Sequence, residues 1–341
     1  DHPKLRPYQI QATKAVENAL RKNKQNIMLA MATGTGKTWV AISEIYRLMK
    51  SNYGKRILFL VDRRALAAQA VRAFKTFEPE PGKKFDKLYE VYSQRMRKED
   101  FDEDFKFNPQ ELPQSYLEKP NPGLAFVYVS TIQRMRINLF GKENSFEGEE
   151  FEEDAQKLNI PINAFDIVIA DECHRGYTAT EESKWREVLN HFDAIKIGLT
   201  ATPATHTTAF FDTPVFRYDY EQAVKDGFLV DFEAVKISSN VRMNGIFLHE
   251  NEKVGVIDTE TGKEQLDQLE DEREFEIGKI EREITSPDSN KKILTEIAKH
   301  IKQQEQEFGR FPKTLIFAVN DLPHASHSDQ VVRICRELFS K

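Results

Sequence analysis

The stretch Asn26–Val40, NIMLAMATGTGKTWV, decides how the rest of the chain is read. The apolar run Ile27, Met28, Leu29, Ala30 predicts a buried strand, and Val40, Ala41, Ile42 and Ile45 then recur at helical positions. Between them lies the loop Thr33-Gly34-Thr35-Gly36-Lys37-Thr38. Strand, glycine-bearing loop and helix in that order are the setting in which a Gly-Lys-Thr sequence binds phosphate. Gly34 and Gly36 let the backbone turn so that successive N–H groups face one anion, and the new helix adds its partial positive end. Lys37 reaches the terminal phosphates as a point charge, and the Thr38 hydroxyl ligates Mg²⁺. Residues Thr33, Gly34, Thr35, Gly36, Lys37 and Thr38 are therefore the expected phosphate cradle. One departure stands out: Met31 occupies the place where a Gly usually opens the pattern.

The second anchor is Phe165–Ala170, an apolar strand that ends in Asp171-Glu172-Cys173-His174. Adjacent carboxylates at a strand end are what a nucleoside triphosphatase needs opposite its phosphate loop. Asp171 would hold Mg²⁺, partly through water, and Glu172 would orient and deprotonate the attacking water. Cys173 and His174 have no second Cys/His pair for zinc, and no adjacent base is visible for a thiol nucleophile.

Composition bounds the alternatives. The 341 residues exceed one ordinary core, which predicts two domains, or one and a part. Hydrophobic residues at 40% and charged residues at 30% form a soluble, globular balance, with no run of membrane-spanning length and no apolar core of a signal peptide. Two cysteines cannot build a disulfide framework, which fits a reducing cytoplasm. A net charge of −6 argues against a generic basic coat, although a nucleic-acid groove needs only local charge. Asp1 as first residue, and an end just after a helix-like stretch, suggest a piece of something longer.

Further apolar strands are expected at Arg56–Val61, Leu124–Val129 and Ala194–Leu199, each followed by a polar turn. Five strands alternating with helices predict an α/β fold with a doubly wound, mainly parallel sheet and its ligand at the strand C-termini. Leu5-Arg6-Pro7-Tyr8-Gln9 opens an amphipathic helix. Gln9 offers an amide that matches an adenine edge; alone it reads first as an exposed N-terminal Gln, and its value comes from lying before the phosphate loop. Asp62-Arg63-Arg64 reads as a phosphate contact or as a solvated basic turn, and Ser130, Thr131 and Gln133 sit where a strand end meets backbone phosphates. Small hydroxyls in Thr200-Ala201-Thr202-Pro203 suit a hydrogen-bonded relay beside the carboxylates.

Two segments break the rhythm: a charged stretch at 78–122 with some helix of its own, and 139–160, whose Phe140–Asp154 is an acidic surface loop. After Gly227 comes an extended segment, then a charged connection over 233–290 with a solvent-rimmed helix at Lys263–Ile284. A helix, strand and helix at Lys291–Gln306, Thr314–Val319 and Gln330–Phe339 read as the opening of a second α/β domain over 291–341, after a first domain over 1–232.

Taken in order, LRPYQ, MATGTGKT, LFLVDRRALAAQ, VSTIQRM, IVIADECHRG, GLTATP and TLIFAVN resemble the motif series of superfamily 2 helicases and translocases. The resemblance implies a RecA-like ATP-binding motor, with Gln9 reading adenine and His174, Thr200 and Thr202 relaying between ATP and nucleic acid. Arg64 matches that family's pattern better than Arg63, and no base specificity is expected. Within the superfamily, LRPYQ, Met31, DECHRG and the later YDYEQAVKDGFLV most resemble the motor-bearing restriction subunit of type I restriction-modification systems. That likeness implies duplex DNA as track, methylation and specificity subunits as partners, and a separate nuclease domain outside this chain. It also implies slow turnover by this piece, since the family's second-domain arginine is not found in it. Type III restriction subunits, DNA-repair and RNA helicases, and a nucleotide-gated binding module remain alternative readings.

Overall fold

The computed structural model describes residues 4–97, 100, 109–142, 155–173, 179–232, 234–237, 246–248, 253–257, 264–268, 273–275, 287–319 and 326–339. Its contacts divide into two compact units, Asp1–Asp231 and Phe232–Lys341.

In the first unit, apolar alternation turns strands into the middle layer of three. On β1 (Asn26–Met31), Ile27, Leu29 and Met31 face one layer and Met28 faces the other. β2 (Arg56–Val61) does the same with Ile57, Phe59 and Val61 against Leu58 and Leu60. Burial on both faces is what near-continuous apolar runs predict for parallel strands. One layer is built by α1 (Pro7–Arg21), α2 (Lys37–Lys50) and α3 (Arg64–Thr76). Across the sheet lie α4 (Gln114–Glu118), α5 (Ile132–Phe140), α6 (Ala179–His191) and α7 (Thr205–Phe211), with Met135, Trp185, Val188 and Phe211 in that core.

The remaining strands are β3 (Glu90–Ser93), β4 (Gln110–Glu111), β5 (Phe126–Thr131), β6 (Ile167–Asp171), β7 (Ile195–Thr200) and β8 (Phe216–Tyr218), with α8 (Tyr220–Lys225) after them. All eight strands are parallel, in the order β4-β3-β5-β2-β6-β7-β1-β8. This order matters for function. β7 lies between β1, which feeds the phosphate loop, and β6, which ends in Asp171, so both motifs leave the same sheet edge about 10 Å apart. The register is pinned at the opposite edge by Asp166, which accepts from the Lys55 and Arg56 N–H groups at 2.9 Å and pairs with the Arg56 guanidinium.

Three expectations change. The 78–122 segment contributes β3 and β4 to the main sheet. Its Glu-Val-Tyr-Ser is too short and too polar to read as a strand, and pairing with β5 supplies what propensity does not. The helix expected over Lys263–Ile284 is not formed at Glu264–Gln268, which pairs antiparallel with Lys253–Ile257, or at Arg273–Phe275, which pairs with Ile246–Leu248. Thr314–Val319 runs without a paired strand among the described residues, leaving Leu315 and Phe317 exposed at 77% and 86%. Its flanking helices, Pro287–Phe308 and His327–Phe339, do form and share a small core of Leu294, Val331 and Ile334. Most of the acidic loop lies outside the described residues, but Ala155, Leu158 and Ile160 just beyond it are buried. No helix among the described residues is long and apolar enough to cross a membrane.

Candidate nucleotide site

The phosphate loop takes its shape from two left-handed glycines, Gly34 at φ +84° and Gly36 at φ +82°. Both are also crowded. A Cβ on Gly36 would lie 2.6 Å from Gln9 Nε2, and one on Gly34 would lie 3.1 Å from Leu229 Cδ2. Thr35 is wholly buried and folds the loop on itself, its Oγ1 donating to the Ala32 carbonyl at 2.6 Å. Thr33 stays exposed and Thr38, in the first turn of α2, is half-buried.

Lys37 is buried, and its Nζ lies 3.3 Å from Glu172 Oε1. Residues 135 positions apart in sequence thus meet above the end of β7. Glu172 itself adopts φ +52°, an uncommon conformation for a residue with a side chain, and its N–H donates to Asp171 Oδ1 at 3.0 Å. Burial, and then the neighbouring Glu172, push the Asp171 carboxyl up to about 6, with Lys37 opposing them. A site that disfavours a bare carboxylate in this way is relieved by a cation. The donors available, the Thr38 hydroxyl and the Asp171 carboxylate, are hard oxygens that suit Mg²⁺. No group of three or more His, Cys, Asp or Glu gathers as a metal cluster among the described residues.

Thr200 is fully buried at the end of β7, in register with Ala30 of β1, while Leu199 is in register with Asp171 of β6. Its Oγ1 accepts from the Thr202 N–H at 3.1 Å, which ties the exposed Thr202 to the strand end. Cys173 packs against Gly198, where a Cβ would come within 2.9 Å of Sγ, and burial drives its thiol pKa far up. Such a thiol is inert. His174 lies outside the described residues.

Gln9 closes the first turn of α1. Its Oε1 accepts from Arg6 N–H at 2.9 Å and its Nε2 donates to the Thr35 carbonyl at 2.9 Å. One N–H and one lone pair of that amide remain beyond these two bonds, which is the pair an adenine edge requires. Tyr8, Tyr218, Phe228 and Leu229 were not singled out by sequence reading, yet they line the outside of the loop. The Tyr8 hydroxyl donates to the Thr35 carbonyl at 2.8 Å, and the Tyr218 carbonyl accepts from Ala32 N–H at 2.9 Å. The YDYEQAVKDGFLV segment was visible as a motif, but its wall-forming role was not.

The expected nucleic-acid residues behave differently. Arg64, the first residue of α3, is buried and forms a two-pronged pair with Asp100 at 2.7 and 3.1 Å, with a further bond to the Arg95 carbonyl. Burial of Asp100 opposes its ionisation, but Arg64 and the Arg97 N–H hold its carboxyl below the usual range. Arg63 is the exposed one of the two, at 71%. Ser130 and Thr131 are buried with hydroxyls directed to Gln94 and to the Thr131 carbonyl, and Thr131 Oγ1 caps α5 by accepting from Arg134 N–H at 3.1 Å. Gln133 is half-buried. Arg64, Ser130 and Thr131, expected at backbone phosphates, thus face protein groups in this structure. Each already holds an internal partner, because Asp100 and Gln94, from the 78–122 segment, reach them first.

A family model described as "Type III restriction enzyme, res subunit" (ResIII) matches residues 2–205. The chain belongs to the ResIII family. This ResIII chain is 34% identical, over 99% of its length, to the type I restriction enzyme EcoKI endonuclease subunit of Escherichia coli K12. It is 33% identical, over 70% of its length, to the EcoAI endonuclease subunit of Escherichia coli. It spans about a quarter of these relatives, 26% and 25% of their lengths. Among solved structures, a fragment described as an HsdR subunit of a type I restriction enzyme from Vibrio vulnificus YJ016 matches 99% of this chain and 46% of that one, with TM-score 0.51 and 20% identity. That likeness supports the fold, a parallel sheet flanked by helices.

Proposed function

We propose that this chain is the ATP-binding part of a DNA-translocating motor in a type I restriction subunit. The observation that carries the reading is the 3.3 Å approach of Lys37 to Glu172, because it brings the phosphate loop and the carboxylate pair into one site. In this reading the loop N–H groups and Lys37 bind the triphosphate, and Gln9 reads the adenine. Thr38 and Asp171 hold Mg²⁺, which would neutralise charge on the β- and γ-phosphate oxygens. Glu172 exchanges its ion pair with Lys37 for the attacking water, orients it and takes its proton. In the same reading Thr200, which accepts from the Thr202 N–H at the end of β7, Thr202 and His174 relay between the nucleotide and DNA.

The track is duplex DNA, held through its phosphates without base specificity, and the partners are methylation and specificity subunits in the cytoplasm. A type III restriction subunit or another DNA-repair motor fits the same residues. The test is ATP hydrolysis by the full-length subunit, with and without linear duplex DNA or RNA, beside Lys37→Ala. DNA-stimulated turnover abolished by Lys37→Ala supports the motor. ATP binding with no stimulation contradicts it and favours a nucleotide-gated binding module.

A further inference from the structure

The glycines that let a phosphate loop turn also let its peptides flip. The peptide at risk joins Thr35 to Gly36, whose φ of +82° few other residues would adopt. In a trans peptide the C=O and N–H point to opposite sides. Whatever holds the Thr35 carbonyl therefore also decides where the Gly36 N–H faces. Two donors converge on that oxygen, Tyr8 Oη at 2.8 Å and Gln9 Nε2 at 2.9 Å, and between them they occupy its two lone pairs.

The two donors are not equivalent. Gln9 has amide capacity left for a base, whereas the Tyr8 hydroxyl is committed: it donates to Thr35 and accepts from Arg6 NH1 at 3.1 Å. The Tyr8 ring is also held in place. It stacks on Tyr218 at 4.0 Å between centroids and 12° between planes, and Phe228 meets it edge-on at 5.0 Å. Tyr218 is anchored in turn, its hydroxyl donating to Asp226 at 2.9 Å and its carbonyl accepting from the Ala32 N–H. One braced aromatic stack thus reaches Ala32, just before the loop, and Thr35 within it.

We propose that Tyr8 is a positioning residue for phosphate binding: its phenol, clamped on Tyr218, holds the Thr35 carbonyl outward so that the Gly36 N–H faces the phosphates. The inference rests on the nucleotide reading of this loop and deepens it. Because the phenol acts on loop backbone and touches no base, its contribution is the same for every polyphosphate.

The test measures calorimetric dissociation constants of the 341-residue chain for ATP, GTP and inorganic tripolyphosphate, each with Mg²⁺. Tyr8→Phe keeps the ring stack and removes one hydroxyl. It should weaken all three ligands by a common factor of about 2- to 10-fold and leave the ATP-to-GTP ratio unchanged. Gln9→Ala should weaken tripolyphosphate and also alter that ratio. Tyr46→Phe, which removes a phenol bonded to Glu80 elsewhere on α2, should change nothing. Wild-type affinity for tripolyphosphate in Tyr8→Phe, or a loss confined to ATP, overturns the proposal while leaving the nucleotide site intact. Binding of neither ATP nor tripolyphosphate by the wild-type chain overturns the nucleotide reading, and this proposal with it.

Discussion

Two groups of motif residues leave the same edge of one parallel sheet, and only one of them converges on shared space. At the ends of β1, β6 and β7, Lys37, Asp171, Glu172 and Thr200 close into a single site. At the ends of β2 and β5, Arg64 is paired with Asp100, and Ser130 and Thr131 turn to Gln94. A strand-end position brings a side chain to the right edge, but its partners decide which way it faces. The phosphate loop aims its groups through glycine backbone, which is written locally. Arg64 is aimed by a carboxylate 36 residues away.

Breaking the comparison at its catalytic side should give the largest effect. Glu172→Gln removes the proposed base and should lower DNA-stimulated turnover of the full-length protein about 10²–10⁴-fold while ATP binding persists, read by single-turnover hydrolysis. On the other side, Arg64→Ala leaves the half-buried Asp100 carboxylate with the Arg97 N–H alone and should cost about 1–3 kcal/mol of stability in urea denaturation. Arg63→Ala, at an exposed site, should stay within about 0.5 kcal/mol. A stable Arg64→Ala with weakened, salt-sensitive DNA binding would reverse these assignments and restore the sequence-based expectation.

How much was legible follows the same division. β1, β2 and the helices after them were plain, because fully buried parallel strands read as unbroken apolar runs. The glycine turn before Lys37 and the strand end at Asp171 and Glu172 were legible because each is written in neighbouring residues. Gln9 was singled out for a base, but its bond to Thr35 was not foreseen. Tyr8 and Tyr218 stayed hidden because a stack between residues 210 positions apart has no local signature. The paired strands at Glu264–Gln268 and Arg273–Phe275 were misread as helix, since Leu266, Leu269, Ile277, Ile280 and Ile284 recur at helical spacing along the sequence. β3 was missed because tertiary pairing, not propensity, makes it a strand.

The core behind the phosphate-loop helix offers a third contrast. Glu44 lies in the middle of α2, 2% exposed, with neither carboxyl oxygen bonded to a described group. Burial, then Glu17, push its carboxyl up to about 8 against the opposing Arg47. The folded value lies above the ordinary 4.5, so this contribution to stability is full below about pH 4.5 and is lost as pH rises toward 8. Glu44→Gln should flatten that dependence, on the order of 3 kcal/mol between pH 5 and pH 8, in denaturation at a series of pH values. A smaller effect than at Glu44 is expected at Thr131, where Thr131→Ala removes the cap of α5 and should cost about 1 kcal/mol by thermal melting.

The central claim is that Lys37 belongs to a nucleotide site, and the most direct test is calorimetric binding of ATP with Mg²⁺ to this chain and to Lys37→Ala. The account predicts saturable binding by the wild-type chain, weakened at least about 10- to 100-fold by the loss of one charge-assisted phosphate contact. Equal binding by the two proteins would contradict it.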